Sequence, residues 1–289
     1  MPGSPEYIPK EYWEKRLGER FTLGGVGHLG FGETYNKWAY KRRAEVLRQL
    51  INRGGFDTRG KSVLDIGAGN GYYIDIWTSL GVGELTGLDI TAKSVSELSR
   101  HFPRFHFIEA DITDENLSID GTFDIITAFD VLFHIVDDDR FRQGLANIAR
   151  LSHESSVVLI TDFFLERRRL KGGHQDLRTQ SEYVEALRDN DMRIVELKTI
   201  FTVMNPPFDS ARIHGRAARA LVKATWWLNR NIASLSARAG LVGRALMSCW
   251  APVLYLADRS ASRLLDLGPS TKLALVRRPA VAERSRGKL

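Results

Sequence analysis

Two acids and a run of glycines carry most of the chemistry open to this chain. Val63-Leu64-Asp65-Ile66-Gly67-Ala68-Gly69-Asn70-Gly71 is an apolar run that ends in an acid and three alternating glycines. The run from Leu85 to Leu88 ends in a second acid, Asp89. Glycine lacks a Cβ, so its backbone can approach a ligand closely and take conformations closed to other residues. The turn is expected to press its amides against a cofactor. A carboxylate at the tip of the neighbouring strand would accept hydrogen bonds from ribose hydroxyls. Together these features point to a nucleotide-type cofactor at the carboxyl ends of a parallel sheet.

The glycine spacing narrows the cofactor. A dinucleotide fingerprint, G-x-G-x-x-G, would put its third glycine at position 72, which is Tyr72. Here the glycines stand at 67, 69 and 71, with an acid two residues before the first. That pattern resembles motif I of the class I S-adenosylmethionine (SAM) methyltransferases. The likeness continues in Glu109-Ala110-Asp111, which resembles the family's adenine-edge acid. It continues again in Phe123-Asp124-Ile125-Ile126-Thr127-Ala128-Phe129-Asp130-Val131-Leu132-Phe133-His134, which is similar to its fourth-strand motif. It covers roughly residues 60 to 205. The resemblance implies that SAM is the cofactor. Asp65, Gly67, Ala68 and Gly69 would line its methionine portion, Asp89 would bind ribose, and Ile90 would flank adenine. Asp111 with Ile112 would contact the adenine edge, and Phe129 would border the cofactor. The plainer alternatives are a solvated strand-end acid at Asp89 and a turn residue at Asp111.

Methyl transfer from a sulfonium is an in-line displacement, so the protein must hold donor and acceptor collinear. Such positioning can be worth roughly 7–11 kcal/mol. An alcohol acceptor also wants a base, typically worth about 10²–10⁴-fold. His134, just past the fourth strand, is the candidate, since histidine titrates near neutrality. The competing reading is a packing or helix-capping histidine. Asp130 would lie near the methyl end and orient a substrate. His174, in Lys171-Gly172-Gly173-His174, falls on the loop after the fifth strand, on the acceptor side. Trp13 with Tyr12 is a candidate for the same wall. Tyr35, after a glycine-rich stretch from Gly24 to Gly32 that could close as a lid, is a candidate for the methionine end. No zinc-ligand spacing is present, and Asp137-Asp138-Asp139 reads as a helix start and not a metal site.

The elements that must position these groups alternate. Strands are expected near 62–66, 84–89, 105–110, 123–128 and 155–162. Helices are expected near 71–80, 92–100, 137–152 and 179–190, with a further strand near 192–203 and a last one over Thr271 to Arg277. Alternation of this kind predicts an α/β, doubly wound, mostly parallel seven-stranded sheet. The expected organisation is an N-terminal helical cap and glycine-rich lid over 1–60 and a Rossmann-like core over 61–205. A basic helical insertion over 206–270 follows, then the last strand and a basic tail over 271–289, disordered from 279.

Composition sets outer limits. The 289 residues are 43% hydrophobic and 26% charged, as in a soluble protein with one large core or two small ones. One cysteine, Cys249, excludes a disulfide framework within the chain. A reducing, cytoplasmic setting is the default, and the first residues show no secretory signal. Residues 210 to 289 hold 15 Lys and Arg against 3 Asp and Glu, a charge of +12. The remaining 26 and 32 leave residues 1 to 209 at −6. Arg212, Arg216, Arg219, Lys223 and Arg230 fall in one helical stripe, with Leu221, Leu228, Ile232 and Leu235 nearly opposite. Such a helix predicts contact with an anionic membrane surface. A lid or dimer helix is the competing reading, and nucleic acid is not expected because no recognisable module is present. A spanning helix over Leu241 to Ala257 is not expected, because Arg244 and Pro252 interrupt it.

The leading functional expectation is O-methylation of a sugar, glycolipid or other small-molecule acceptor. N- or C-methylation of a lipid or small metabolite is the alternative enzyme reading. A non-catalytic SAM-binding protein is the alternative of another class. The sequence sets neither the acceptor atom nor the oligomeric state.

Overall fold

The computed structural model describes residues 7–171, 173–238, 240–264 and 268–279. The N-terminal part forms α1 (Pro9–Glu19), a four-residue turn α2 (Leu23–Val26) and the long α3 (Gly32–Gly54). There follow β1 (Ser62–Ile66), α4 (Tyr72–Ser79), β2 (Glu84–Asp89), α5 (Ala92–His101), β3 (His106–Glu109) and β4 (Phe123–Phe129). Then come α6 (Asp138–Arg150), β5 (Ser152–Asp162), the short strands β6 (Arg169–Lys171) and β7 (Gln175–Leu177), α7 (Gln180–Arg188) and β8 (Arg193–Thr199). Two long helices, α8 (Arg216–Arg238) and α9 (Gly240–Leu264), precede β9 (Lys272–Arg277).

Seven strands form one sheet in the order β3-β2-β1-β4-β5-β9-β8. The pairs β1–β2, β1–β4, β2–β3 and β4–β5 are parallel. Strand order reverses beside β1, and in open α/β sheets ligands bind outside the carboxyl ends of strands at such a switch point. Strands covered on both faces read as continuous apolar runs. Leu64, Ile66, Ile126, Ala128, Val158 and Ile160 accordingly lie in one core with Phe141, Leu145 and Ile148 of α6. The expected strands and helices of this region all form. The β6–β7 hairpin is additional, standing where a plain loop was expected to carry His174.

Helix starts follow local chemistry. Thr91 and Asp137 accept the amides of Ser94 and Arg140. Thr179 and Glu182 form a reciprocal capping box. Each satisfies amides that a helix N-terminus leaves unpaired.

The described residues divide between two compact units. One takes those within Met1–Lys15, Asp57–Leu197 and Ala274–Leu289, and the other those within Arg16–Phe56 and Lys198–Leu273. The second unit joins residues 16–56 of the N-terminal cap and the basic insertion in a single body. Inside it, Asp258 of α9 is fully buried and accepts the amides of Thr202, Val203 and Met204 at 2.7–3.0 Å. Arg42 of α3 donates to the Ile200 carbonyl and to Ser262. The glycine-rich stretch forms helical turns in the same unit. Arg16 donates to the carbonyls of Gly25 and Gly27, and the Gly24 amide donates to Glu33. A Cβ on Gly27 would stand 2.2 Å from Asn36 Oδ1, so this glycine serves close packing.

Among the described residues α9 is the one helix long and apolar enough, by length and composition, to cross a membrane. It also carries Pro252 and the buried Asp258. The basic tail expected over 279–289 lies, from residue 280 on, outside the described residues.

Candidate functional site

The glycine turn follows β1 and is locked to β2. The amides of Gly67 and Ala68 both donate to the Leu88 carbonyl, at 2.7 and 3.1 Å. The Gly69 amide donates to Asp89 Oδ2 at 2.8 Å, and that of Gly71 to the Ala68 carbonyl. This corrects the expectation that the turn aims its amides at a cofactor, because these four are satisfied within the protein. The glycines are needed for backbone shape. Gly67 and Gly71 have φ of 70° and 82°, in the left-handed region. A Cβ on Gly67 would also meet Val131 Cγ2 at 2.3 Å.

Two acids stand at this edge. Asp89 is buried, and its Oδ1 accepts the Thr91 amide at 3.0 Å and the Thr91 hydroxyl at 2.7 Å. Burial raises its pKa, and hydrogen bonds from Thr91, Gly69 and Ser94 oppose the rise. Asp65 is buried beside Thr127, whose hydroxyl donates to it at 2.6 Å. Burial pushes the Asp65 carboxyl up to about 7, against the Thr127 hydrogen bond, and the nearby Asp89 charge adds to the rise.

Asp111 has local work. Its Oδ1 accepts the Thr113 amide and hydroxyl, and its Oδ2 pairs with Arg140 Nη2 at 2.5 Å. The side chain of Ile112 is buried in the core, and its carbonyl accepts from Asn147 Nδ2 at 2.8 Å. Ile90 is part-exposed at the end of β2. Ala68 and Phe129 are nearly buried, and the Phe129 ring meets Tyr73 at 4.4 Å between centroids.

The acceptor-side candidates come together past β4. Asp130 adopts a φ of 60°, strained for a residue with a side chain. Thr161 of β5 holds it there. Its hydroxyl accepts the Asp130 amide at 2.7 Å and donates to Asp130 Oδ1 at 3.0 Å. Four residues on, His134 Nδ1 lies 2.9 Å from the carbonyl oxygen of His174, and the two rings stack at 5.8 Å. A carbonyl can only accept, so Nδ1 carries the proton and the neutral ring presents Nε2 as the basic nitrogen. Trp13 meets the His134 ring edge-on at 4.9 Å, and Tyr12 stacks on His174 at 5.0 Å.

The hairpin β6–β7 places His174, and arginines place the hairpin. Arg178, almost fully buried, donates to the Ile135 carbonyl at 2.8 Å and to Asp138 Oδ1 at 2.8 Å. Arg168 pairs with Asp138, Asp176 and Glu182. Hydrogen bonding from Arg168, reinforced by Arg178, holds the Asp138 carboxyl down at about 2 despite partial burial. The stretch just after His134 is thereby tied to both ends of the hairpin.

Tyr35 belongs to the second unit. It is fully buried in the second unit and its hydroxyl donates to the Met204 carbonyl. Burial, its largest influence, raises its pKa well above that of a free phenol. Asn36 and Trp38 are likewise engaged there, with His28 and Tyr255. Sequence reasoning missed Thr127, Thr161 and Arg178. The two threonines carried a usable signal, being polar residues near the carboxyl ends of otherwise apolar strands. Among the described residues, no group of three or more His, Cys, Asp and Glu could hold a metal ion.

Residues 63–154 match the family described as "Methyltransferase domain". A tRNA U34 carboxymethyltransferase of Dichelobacter nodosus is 30% identical over 146 residues, covering 49% of this chain and 44% of the relative. An O-methyltransferase of Aspergillus nomiae is 29% identical over 153 residues, covering 50% and 66%. The chain therefore spans less than two thirds of each of these relatives. Among solved structures, the magnesium protoporphyrin IX methyltransferase of Synechocystis with bound SAM superposes with a TM-score of 0.53 at 18% identity, over 70% of this chain and 95% of that one. The fold is the Rossmann-like methyltransferase fold. The segment 63–154 is a methyltransferase domain.

Proposed function

We propose that the chain is a SAM-dependent methyltransferase acting on a hydroxyl of a small-molecule acceptor of the sugar or glycolipid class. His134 serves as its general base. The observation that carries the reading is the contact between His134 Nδ1 and the His174 carbonyl, because it sets the tautomer that proton removal needs.

The residues present fit the cofactor. Asp65 and Asp89 are two buried acids whose charges oppose one another, and a ligand bearing a cationic amino-acid head relieves that opposition. Asp89, a carboxylate at the tip of β2, suits a ribose hydroxyl. Ile90 and Phe129 supply apolar surface for the base, and the adenine edge falls to Asp111 and the backbone of Ile112. When bound, SAM supplies an electrophilic methyl group.

The chain's own residues do the rest. Asp130, held by Thr161, orients the acceptor. His134 Nε2 takes the hydroxyl proton as the oxygen attacks, and the His174 carbonyl stabilises the imidazolium that forms. The rings of Trp13 and Tyr12 offer flat apolar faces that suit the C–H face of a sugar. That one relative is named an O-methyltransferase favours oxygen as the acceptor atom.

The test is transfer from methyl-labelled SAM to a panel of sugars, glycolipids, phenols and amines, with the product's linkage read by NMR. Methyl ethers formed on the hydroxyl acceptors support the reading. Methylamine or C-methyl products alone would replace it.

A further inference from the structure

The insertion carries a surface that methyl transfer does not use. On α8 the side chains packed inward are Val222, Asn229, Ala233 and Ser236. The leucines of the same helix are not the packed side. Leu221, Leu228 and Leu235 recur every seven residues and are exposed, with Leu221 at 68%. Trp227, between that leucine stripe and the basic one, is 60% exposed. Helix α9 repeats the pattern. Met247, Ala251, Leu254 and Asp258 face inward, while Val242, Leu246, Val253 and Leu256 form an exposed stripe at helical spacing. Two helices of one hairpin thus turn apolar stripes to solvent, where single scattered apolar residues would need no explanation.

The charge around the stripes is one-sided. Residues 210 to 264 contain nine Lys and Arg and a single acid, Asp258. That acid is fully buried and engaged by three backbone amides. Arg216, Lys223, Arg230, Arg238 and Arg244 are exposed, and no exposed carboxylate lies on either helix. A second copy docking by the same face would bring these cations together, since a two-fold interface is self-complementary. The complementary partner is apolar in depth and anionic at its surface.

We infer that the α8–α9 hairpin docks on an anionic lipid surface, lying in the interface with Trp227 and the exposed leucines inserted and the arginines against headgroup phosphates. It lies flat and does not span. The opposite side of α9 is packed within its unit, and Asp258 is fixed there by backbone amides. The inference goes beyond the catalytic reading, and vesicle binding is measured without methyl transfer, so either can fail alone.

The experiment is co-sedimentation of the full chain with phosphatidylcholine vesicles, with and without phosphatidylglycerol, at low and high salt. Binding is expected only with phosphatidylglycerol and weakens with salt. The double variant K223Q/R230Q should bind roughly thirtyfold more weakly, at about fivefold per cation. Trp227→Ala should abolish the binding that survives high salt. Both variants alter exposed side chains, and an unchanged melting temperature confirms folding. Failure to bind phosphatidylglycerol vesicles at low salt overturns the proposal, as does binding that neither variant changes. So does a dimer that Trp227→Ala dissolves while vesicles go unbound. A preference for tRNA over vesicles, lost in K223Q/R230Q, would make the surface one for nucleic acid.

Discussion

His134 Nδ1 lies 2.9 Å from the backbone carbonyl of His174, forty positions later in the chain. A backbone oxygen cannot change its protonation, so it fixes one tautomer of the ring more firmly than a side-chain partner would.

Replacing His134 by Ala should therefore lower kcat by about 10²–10⁴-fold while cofactor affinity stays unchanged. The wild-type rate should fall on the acid side as the ring gains its second proton, and the variant should lack that limb. Steady-state kinetics over pH, with binding of S-adenosylhomocysteine alongside, checks both. Unchanged turnover would assign His134 to packing.

The acid pair predicts a pH dependence of the opposite sense for stability and for binding. Asp65 rises from 3.8 to about 7 on folding, mainly through burial. A carboxyl raised in this way favours the protonated folded state. Its contribution is full below the unfolded pKa and is lost as pH climbs through about 7. Asp162, also pushed up to about 7 by burial, adds to the same loss. The ligand-free melting temperature should fall between about pH 4 and about pH 7. A cationic amino-acid head favours ionised Asp65, so affinity for S-adenosylhomocysteine should tighten over that range, by at most about tenfold per pH unit below 7. Asp65→Asn should flatten the affinity curve and leave only the Asp162 share of the stability loss, seen by titration and scanning calorimetry.

Arg178→Met tests the hairpin. It removes the donors that tie the segment after His134 to β7, and leaves Asp176 with Arg168. Loss of about 1–3 kcal/mol of stability is expected. Among molecules that remain folded, kcat should fall while cofactor affinity holds, because no donor-side residue touches Arg178. Equal loss of both would make Arg178 merely structural.

How much of this was legible beforehand varied with the range of the interaction. The sheet, its helices and the glycine turn were readable because apolar runs, caps and glycine positions are local signals. The pairing of Asp65 with Thr127 and of Asp130 with Thr161 depends on which strands become neighbours, and single-strand patterns do not record that. The direction of the Gly67 to Gly69 amides was misread for the same reason, since their acceptors lie on β2. The burial of Tyr35 within its unit was not legible, because an aromatic after a glycine-rich stretch looks alike whether it lines a site or fills a core. The leucine stripe of α8 was visible, but its exposure required knowing that Val222, Asn229 and Ala233 form the packed side.

The donor site itself is tested most directly by calorimetric titration with S-adenosylhomocysteine, with NAD as the control, on wild type and Asp89→Ala. The predicted result is a one-to-one isotherm for S-adenosylhomocysteine, weakened about tenfold or more in the variant through loss of charged hydrogen bonds, and no heat with NAD. Clean binding of NAD with no response to S-adenosylhomocysteine would contradict the account.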